Sequence, residues 1–288
     1  MSVDIGFERF EIIVNQWSFE LSDFPVHDQT LVDFHVEGTG RIFYEPLESG
    51  FTSAEEKYCC EGKTAETKTL AKEMASLDRL SGGRFLPAVG LGAPNPVEHR
   101  AFGVDRKERA PWFDEALALM RRLWTEDDVT HQGERFQVEG LTLRPRPIQQ
   151  PLEVWLGGQA PSELRRVGRV GDGWLPSFCT VDDVAQGWEV VSAEAAAHGR
   201  MIDPEHLGAL VAFSQKAVPD RVRALLAKRR PDLDPAEVIP VGLDALRGRL
   251  EAFTAVGASK FVVLPLDEPT DWPGQVKALA DAVGDLQN

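Results

Sequence analysis

From residue 84 onward the chain alternates short apolar runs with longer amphipathic stretches, and no other feature restricts its fold as strongly. The apolar runs at 84–89, 152–156, 173–176, 207–213 and 260–264 read as buried strands. Helical patterns separate or follow them at 108–124, where Trp112, Ala116, Leu119 and Leu123 share one face, and at 161–169, 181–198, 220–229, 243–256 and 275–286. Strands joined through helices pair in parallel, because a parallel connection needs a crossover. The pattern therefore predicts an α/β protein with at least five consecutive parallel strand–helix units. It leaves open whether the sheet stays open or closes. Within the same region Gly133 splits 129–138 into two short β segments. Residues 144–151, with Pro145, Pro147 and Pro151, read as an extended surface connection rather than a domain boundary.

The first 68 residues are of another kind. Before residue 68, Arg occurs only at Arg9 and Arg41 and Ala only at Ala54 and Ala65, whereas both are abundant afterwards. Runs at 10–14, 30–36 and 41–43 read as strands with no helix between them, Glu37-Gly38-Thr39-Gly40 making a turn. From 53 to 80 the pattern turns helical, with Ser53 as N-cap and Gly82-Gly83 as the stop signal.

A single domain over 1–288 accommodates this length, with 43% hydrophobic residues to fill one core. The formal net charge is −15 and the sequence pI is near 4.9. Nucleic acid and anionic membrane surfaces are therefore not expected partners, since both need clustered Lys and Arg. Cys59, Cys60 and Cys179 make neither a disulfide framework nor a zinc-ligand spacing, which fits a reducing compartment. With no basic-then-apolar leader and no long apolar span, a cytoplasmic location is expected. His131, His198 and His206 fall on different elements without a partner at ligand spacing, so no metal site is expected.

Chemistry concentrates where strands end. Gly90-Leu91-Gly92 follows a predicted strand, and glycine there either lets a ligand reach the backbone or simply makes a tight exit; the full GxGxxG spacing is lacking. Gly157-Gly158-Gln159-Ala160-Pro161-Ser162 runs from a strand straight into a helix, whose unpaired N–H groups and positive dipole end favour phosphate. The plainer reading is a βα turn capped by Ser162. In Gly171-Asp172-Gly173-Trp174, Asp172 reads as fixing the turn and Trp174 as core, while Pro176-Ser177 at the far end of that strand faces the pocket. Glu98 and His99 are the titratable pair nearest that pocket, able to move a proton or, as helix-start polar residues, to face solvent. The pairs Arg121-Arg122 and Arg165-Arg166 read as solvated helix faces.

Several longer motifs occur together and in order. They are Leu70-Ala71-Lys72-Glu73, the stretch from Leu77-Asp78-Arg79 to Arg84-Phe85, Ala88-Val89-Gly90-Leu91-Gly92, and Glu98-His99-Arg100-Ala101-Phe102-Gly103. Phe113-Asp114-Glu115-Ala116-Leu117, Leu123-Trp124, Trp155-Leu156-Gly157-Gly158 and Gly171-Asp172-Gly173-Trp174-Leu175-Pro176 complete the series. Over about residues 68–268 this series resembles the luciferase-like monooxygenase family, in the branch that uses coenzyme F420; residues 1–68 do not match it. The resemblance implies a TIM-like (β/α)8 barrel, its N-terminal strands irregular or incomplete, with 84–89 as the fourth strand, 260–264 as the eighth, and the cofactor at the carboxyl ends of the strands. It carries the cofactor phosphate site to Gly157, Gly158, Gln159 and Ser177, and sets Gly90 and Gly92 on the pocket wall. The implied activity is hydride transfer between a deazaflavin, coenzyme F420, and a small organic substrate, with Glu98 as proton donor; the sequence leaves the oligomeric state open, a homodimer among the options. FMN with oxygen is the alternative cofactor chemistry. A non-catalytic flavin-binding protein is the alternative outside catalysis.

Overall fold

The expected strand–helix units are present in the computed structural model, which describes residues 61–92, 105–267 and 270–286, with side chains from Thr67 onward. In chain order the elements are α1 (Glu61–Leu80), β1 (Ala88–Val89), α2 (Arg109–Thr125), β2 (Val129–Gln132), β3 (Gln137–Leu141), β4 (Trp155–Leu156) and α3 (Pro161–Val170). There follow β5 (Gly173–Trp174), α4 (Val181–Ala197), β6 (Gly208–Phe213), α5 (Asp220–Arg229), α6 (Leu243–Ala255), β7 (Lys260–Pro265) and α7 (Trp272–Val283). The strands read at 10–14, 30–36 and 41–43, the Ser53 cap and the Glu98–His99 pair lie outside the described residues. The chain divides into two units, one of Met1–Pro87 with Gly92–Leu152, the other of Ala88–Leu91 with Glu153–Asn288.

In the first unit α1 stops where Gly82 and Gly83 take positive φ (68° and 79°), and the Gly83 N–H donates to the Asp78 carbonyl at 2.8 Å. Glycine carries no Cβ penalty in this left-handed turn, so it closes a helix end that other residues would strain. One face of α1 buries Ala71, Met74 and Ala75, and α2 buries Leu117, Leu119, Met120, Leu123 and Trp124. The two helices are tied by the Trp124 Nε1–H, which donates to the Ala71 carbonyl at 2.8 Å. Of the apolar face expected on α2, Leu119 and Leu123 are buried, while Trp112 and Ala116 are half-buried.

The β2–β3 hairpin is antiparallel, as the Gly133 break predicts, and is organised by one carboxylate. Glu115 on α2 accepts from the Phe136 N–H (2.9 Å), the Arg135 N–H and His131 Nε2 (3.1 Å). Burial alone would push the Glu115 pKa up, but the hydrogen bonds from His131 and the two N–H groups hold it below the usual carboxylate range. Residues 144–151 are more than a surface connection, for Ile148 and Gln149 are pinned down. Asp78 on α1, fully buried, accepts the Ile148 and Gln149 N–H groups and the Gln149 side-chain amide.

In the second unit, ladders order the strands β1-β4-β5 and β6-β7, all parallel. Bridges from Trp174 to Leu207 and from Ser177 to Leu210 carry the pairing from β5 to β6. The result is an open five-strand run among the described residues, with a helix after every strand. Three strands are shorter than the apolar pattern predicts, for identifiable reasons. Pro87 and Pro176 lack the N–H that a ladder needs, which trims 84–89 and 173–176. At 152–156, the Val154 N–H goes instead to the Asp172 carboxylate at 2.9 Å. Asp172 thus fixes the α3–β5 turn, as expected, by clamping it to the start of β4.

Two expectations about faces and ends are corrected. Arg166 is buried rather than solvated, because helical spacing turns it inward beside Leu164 and Val167, whereas Arg165 is exposed. Helix α7 begins at Trp272, three residues ahead of the apolar pattern, because the Asp271 carboxylate caps it by accepting the Gly274 N–H and Pro273 sits in its first turn.

Candidate functional site at the carboxyl ends of the strands

Parallel sheets place all their strand exits on one rim, and in open or closed α/β folds ligands bind there. In the second unit that rim carries five loops: Gly90-Leu91 after β1, 157–160 after β4, 175–180 after β5, 214–217 after β6 and Leu266-Asp267 after β7. The Gly157 N–H donates to the Val89 carbonyl at 2.9 Å, which sets the β4 exit beside the β1 exit. Among the described residues, a Cβ at Gly90 would meet nothing within 4 Å, and one at Gly157 would touch the Leu175 and Val89 carbonyls. No side chain of the described residues covers the backbone at these two exits.

The loops after β4 and β5 are joined by two side chains. The Trp174 Nε1–H donates to the Gly158 carbonyl at 2.9 Å, and the Gln159 side-chain amide donates to the Ser177 carbonyl. Gly158, Gln159 and Ser177, three residues read from the sequence as cofactor contacts, are thus brought together. Trp174 is core, as expected, yet its polar edge reaches the site. Gly92 falls in the other unit, where it has φ +74° and its carbonyl accepts from Arg109 Nη1 at 3.0 Å. The Glu98 proton-donor assignment lies outside the described residues.

Beyond Ser177 the chain makes an unusual turn. Phe178 has φ +56°, a region that non-glycine residues avoid, and its side chain packs on an apolar cluster of Ala212, Val218, Val222, Leu226, Val238 and Ile239. Such a conformation persists only where neighbours over-determine it, and it concentrates at binding loops. Here the support also comes from the start of α4. Thr180 and Asp183 form a capping box, and Arg230 reaches Asp183 at 3.0 and 3.4 Å.

Partial burial pushes the Asp183 pKa up, but Arg230 and Thr180 outweigh it and hold the carboxyl below its usual range. Because the folded pKa lies below the unfolded value, near ~3.9, the stabilisation is present above that value and is lost as pH falls through the folded one. Asp183→Asn is expected to lower the melting temperature by roughly 2–4 °C at pH 7 and by less at pH 3. Thermal melts showing the same difference at both pH values would contradict this origin.

A polar cluster missed by sequence reading sits at the exits of β6 and β7. Ser214, buried, places its hydroxyl 2.6 Å from both the Ala217 carbonyl and Asp267 Oδ2, and the Gln215 N–H donates to the same carboxylate at 2.7 Å. The Ser214 hydroxyl, with the Gln215 N–H, holds the Asp267 carboxyl below its usual range. Gln215 in turn donates to Gln275 on α7 at 3.1 Å. No local motif announces these residues; the available signal was an acidic side chain just past a predicted last strand.

The phosphate cradle expected at 157–160 has a different occupant. The Gln159 and Ala160 N–H groups both donate to Glu163 Oε2 at 3.0 Å, and the Gly157 N–H is committed to Val89. Gly158, at φ +103°, lies directly under this side chain: an added Cβ would come within 2.7 Å of the Glu163 carboxyl carbon. Three donors that sequence reading treats as free are satisfied internally, two of them because the third helical residue is an acid whose carboxylate reaches back to the N–H groups ahead of the helix.

A family model described as luciferase-like monooxygenase matches residues 67–231, more than half of the chain. The chain belongs to this family. It is 27% identical over 172 residues to an FMNH2-dependent dimethylsulfone monooxygenase of Pseudomonas putida, a match covering 58% of this chain and 46% of that protein. An F420-dependent glucose-6-phosphate dehydrogenase of Beutenbergia cavernae is 31% identical over 166 residues, 56% of this chain and 48% of that protein. The chain thus spans about half the length of the curated relatives it matches. Among solved structures, an F420-dependent secondary alcohol dehydrogenase in complex with an F420–acetone adduct superimposes with TM-score 0.61 at 18% identity, covering 77% of this chain and 76% of that one. A monooxygenase from Streptomyces bottropensis gives 0.59 at 20% identity, with 77% and 74% covered. The α/β architecture is accordingly that of the luciferase-like TIM-barrel structures.

Members of the family are F420- or flavin-dependent oxidoreductases and monooxygenases. Among the described residues no side chain stands against the backbone at Gly90 and Gly157, so the space there does not exclude a flat ring. A phosphate does not fit on the main chain of 157–160 as that loop stands, since the Gly157, Gln159 and Ala160 N–H groups are taken and a carboxylate covers it. No helix among the described residues is long and apolar enough to cross a membrane.

Proposed function

We propose that this protein is a cofactor-dependent oxidoreductase that moves a hydride between coenzyme F420 and a small organic substrate. The observation that carries the reading is the joined rim of the β1, β4 and β5 exits, lying within the stretch that matches the luciferase-like model. When bound, F420 supplies a hydride carrier whose electronics are its own. The chain's part is to bind, orient and keep water out. Gly90 and Gly157 leave backbone open to a flat ring, while Gln159 and Trp174 lock the two neighbouring loops so that the platform does not shift. Glu98 is the proposed proton donor to the reduced substrate. The same reading takes the five parallel strands as part of a (β/α)8 barrel in a single domain.

A second reading, FMN with oxygen, is supported by the likeness to the FMNH2-dependent relative. Equilibrium titration of the full chain with F420 and with FMN, followed by fluorescence, tests both. The expected result is saturable F420 binding, and oxidation of reduced F420 in the presence of small carbonyl compounds. Binding of neither cofactor would overturn the enzyme reading; FMN binding with substrate-dependent oxygen consumption would favour the second.

A further inference from the structure

Glu163 lies on the first turn of α3, a ten-residue helix, and closes the end that should attract an anion. Its Oε2 accepts from two successive main-chain N–H groups, Gln159 and Ala160, both at 3.0 Å. Its carboxyl carbon lies 2.7 Å from the point where a Cβ on Gly158 would be. The helix therefore carries its own anion, in the place where a ligand phosphate would otherwise collect both donors and the positive end of the dipole. An incoming phosphate must either displace two charge-assisted hydrogen bonds or sit against a like charge.

Resting on the flavin or deazaflavin reading above, we propose that Glu163 is a specificity-determining residue that selects the cofactor by the charge on its phosphate. Repulsion at a given distance scales with the incoming charge, so a dianion meets about twice the opposition that a monoanion does. FMN ends in a phosphate monoester, which at pH 7 is mostly dianionic because its second pKa is about 6. The phosphate of F420 is a diester with a single negative charge. Riboflavin has no phosphate. The carboxylate of Glu163 accordingly penalises FMN most, F420 less and riboflavin not at all, and in doing so tilts the site toward the deazaflavin.

The test is equilibrium binding of riboflavin, FMN and F420 to the full-length chain and to its Glu163→Gln and Glu163→Ala variants, read by quenching of cofactor fluorescence. The decisive quantity is the affinity for FMN relative to riboflavin, which cancels changes common to the ring. In the unaltered protein FMN is expected to bind no more tightly than riboflavin. Glu163→Ala, which frees both donors, should raise the ratio by about tenfold or more, and Glu163→Gln, which removes the charge but keeps an acceptor over the loop, by a smaller factor. F420 affinity should change by less than FMN affinity in both variants. Glu163→Ala loses a helix cap, so circular dichroism accompanies each measurement; Glu163→Gln preserves the shape and carries the test if the alanine variant unfolds. An unaltered protein that prefers FMN to riboflavin tenfold, or a ratio that neither variant moves, would overturn the role of Glu163 while leaving the cofactor reading intact. If none of the three compounds binds to any form, the cofactor reading falls and this proposal with it.

Discussion

Gly173→Ala is expected to destabilise the second unit by about 3 kcal/mol, at the upper end of what overpacking a core does. Gly173 on β5 stands in register with Trp155 on β4, and the added methyl would lie 2.4 Å from the indole ring. The ring has no room to retreat. Trp155 is 1% exposed, and the same indole also stands against Gly208, where a Cβ would fall 3.0 Å from it. Lys260 Nζ stands 5.3 Å from the centre of the Trp155 ring, and the His206 ring 5.4 Å away. Two glycines on neighbouring strands thus make the slot that one tryptophan fills. A double-mutant cycle with Trp155→Leu separates this steric cause from a loss of strand propensity. In the leucine background the added methyl should cost less than about 1 kcal/mol, a coupling of roughly 2 kcal/mol. Equal destabilisation by Gly173→Ala in both backgrounds, measured by urea unfolding, would sink the explanation.

In the first unit the largest effect is expected at Asp78. Its carboxylate is inaccessible to solvent and takes three hydrogen bonds from the 148–149 segment, at 2.5 Å from the Ile148 N–H, 3.0 Å from the Gln149 N–H and 2.6 Å from the Gln149 side-chain amide. Asp78→Ala would strand these donors away from water, at a cost of roughly 3–5 kcal/mol. Against a typical margin of about 5–15 kcal/mol this removes a large part of the stability. Asp78→Asn can keep its oxygen toward the two backbone N–H groups and lose only the bond from the Gln149 amide, so it should recover about half of the deficit. A loss below about 1 kcal/mol for the alanine variant in chemical denaturation would show that the 144–151 segment does not depend on this anchor.

Both predictions concern residues that carry family motifs in the sequence, yet neither role could be read there. Asp78 belongs to the run Leu77-Asp78-Arg79, and Gly173 to Gly171-Asp172-Gly173-Trp174. What makes Asp78 important is a segment some 70 positions away that folds back onto it. What makes Gly173 indispensable is the indole on the adjacent strand. Periodicity reports which way a residue faces, not what will face it. Trp174 was legible as core because a large apolar side chain on a buried strand has few other places to go, but its bond to the Gly158 carbonyl was not.

The site divides along the same line. The glycines at the strand exits and the abutment of strand and helix at residue 157 were legible, because glycine and a βα rhythm are local signals. The state of the amide donors was not. Sequence reading counts the N–H groups of a helix start as available to a ligand, and only the fold shows that Glu163 has claimed two of them. The Ser214–Asp267 pairing spans 53 positions and has no local signature at all.

By itself, the sequence determined the alternation of strand and helix, the parallel sense of the sheet, the helix stop at Gly82-Gly83 and the family, since each depends on local periodicity, chain connectivity or ordered motifs. Only the tertiary structure decided where strands shorten, which arginine of a pair is buried, and which groups meet at the rim. Those outcomes depend on competition among hydrogen-bond partners and on close packing between segments far apart in the chain, and neither is encoded in any single stretch of it.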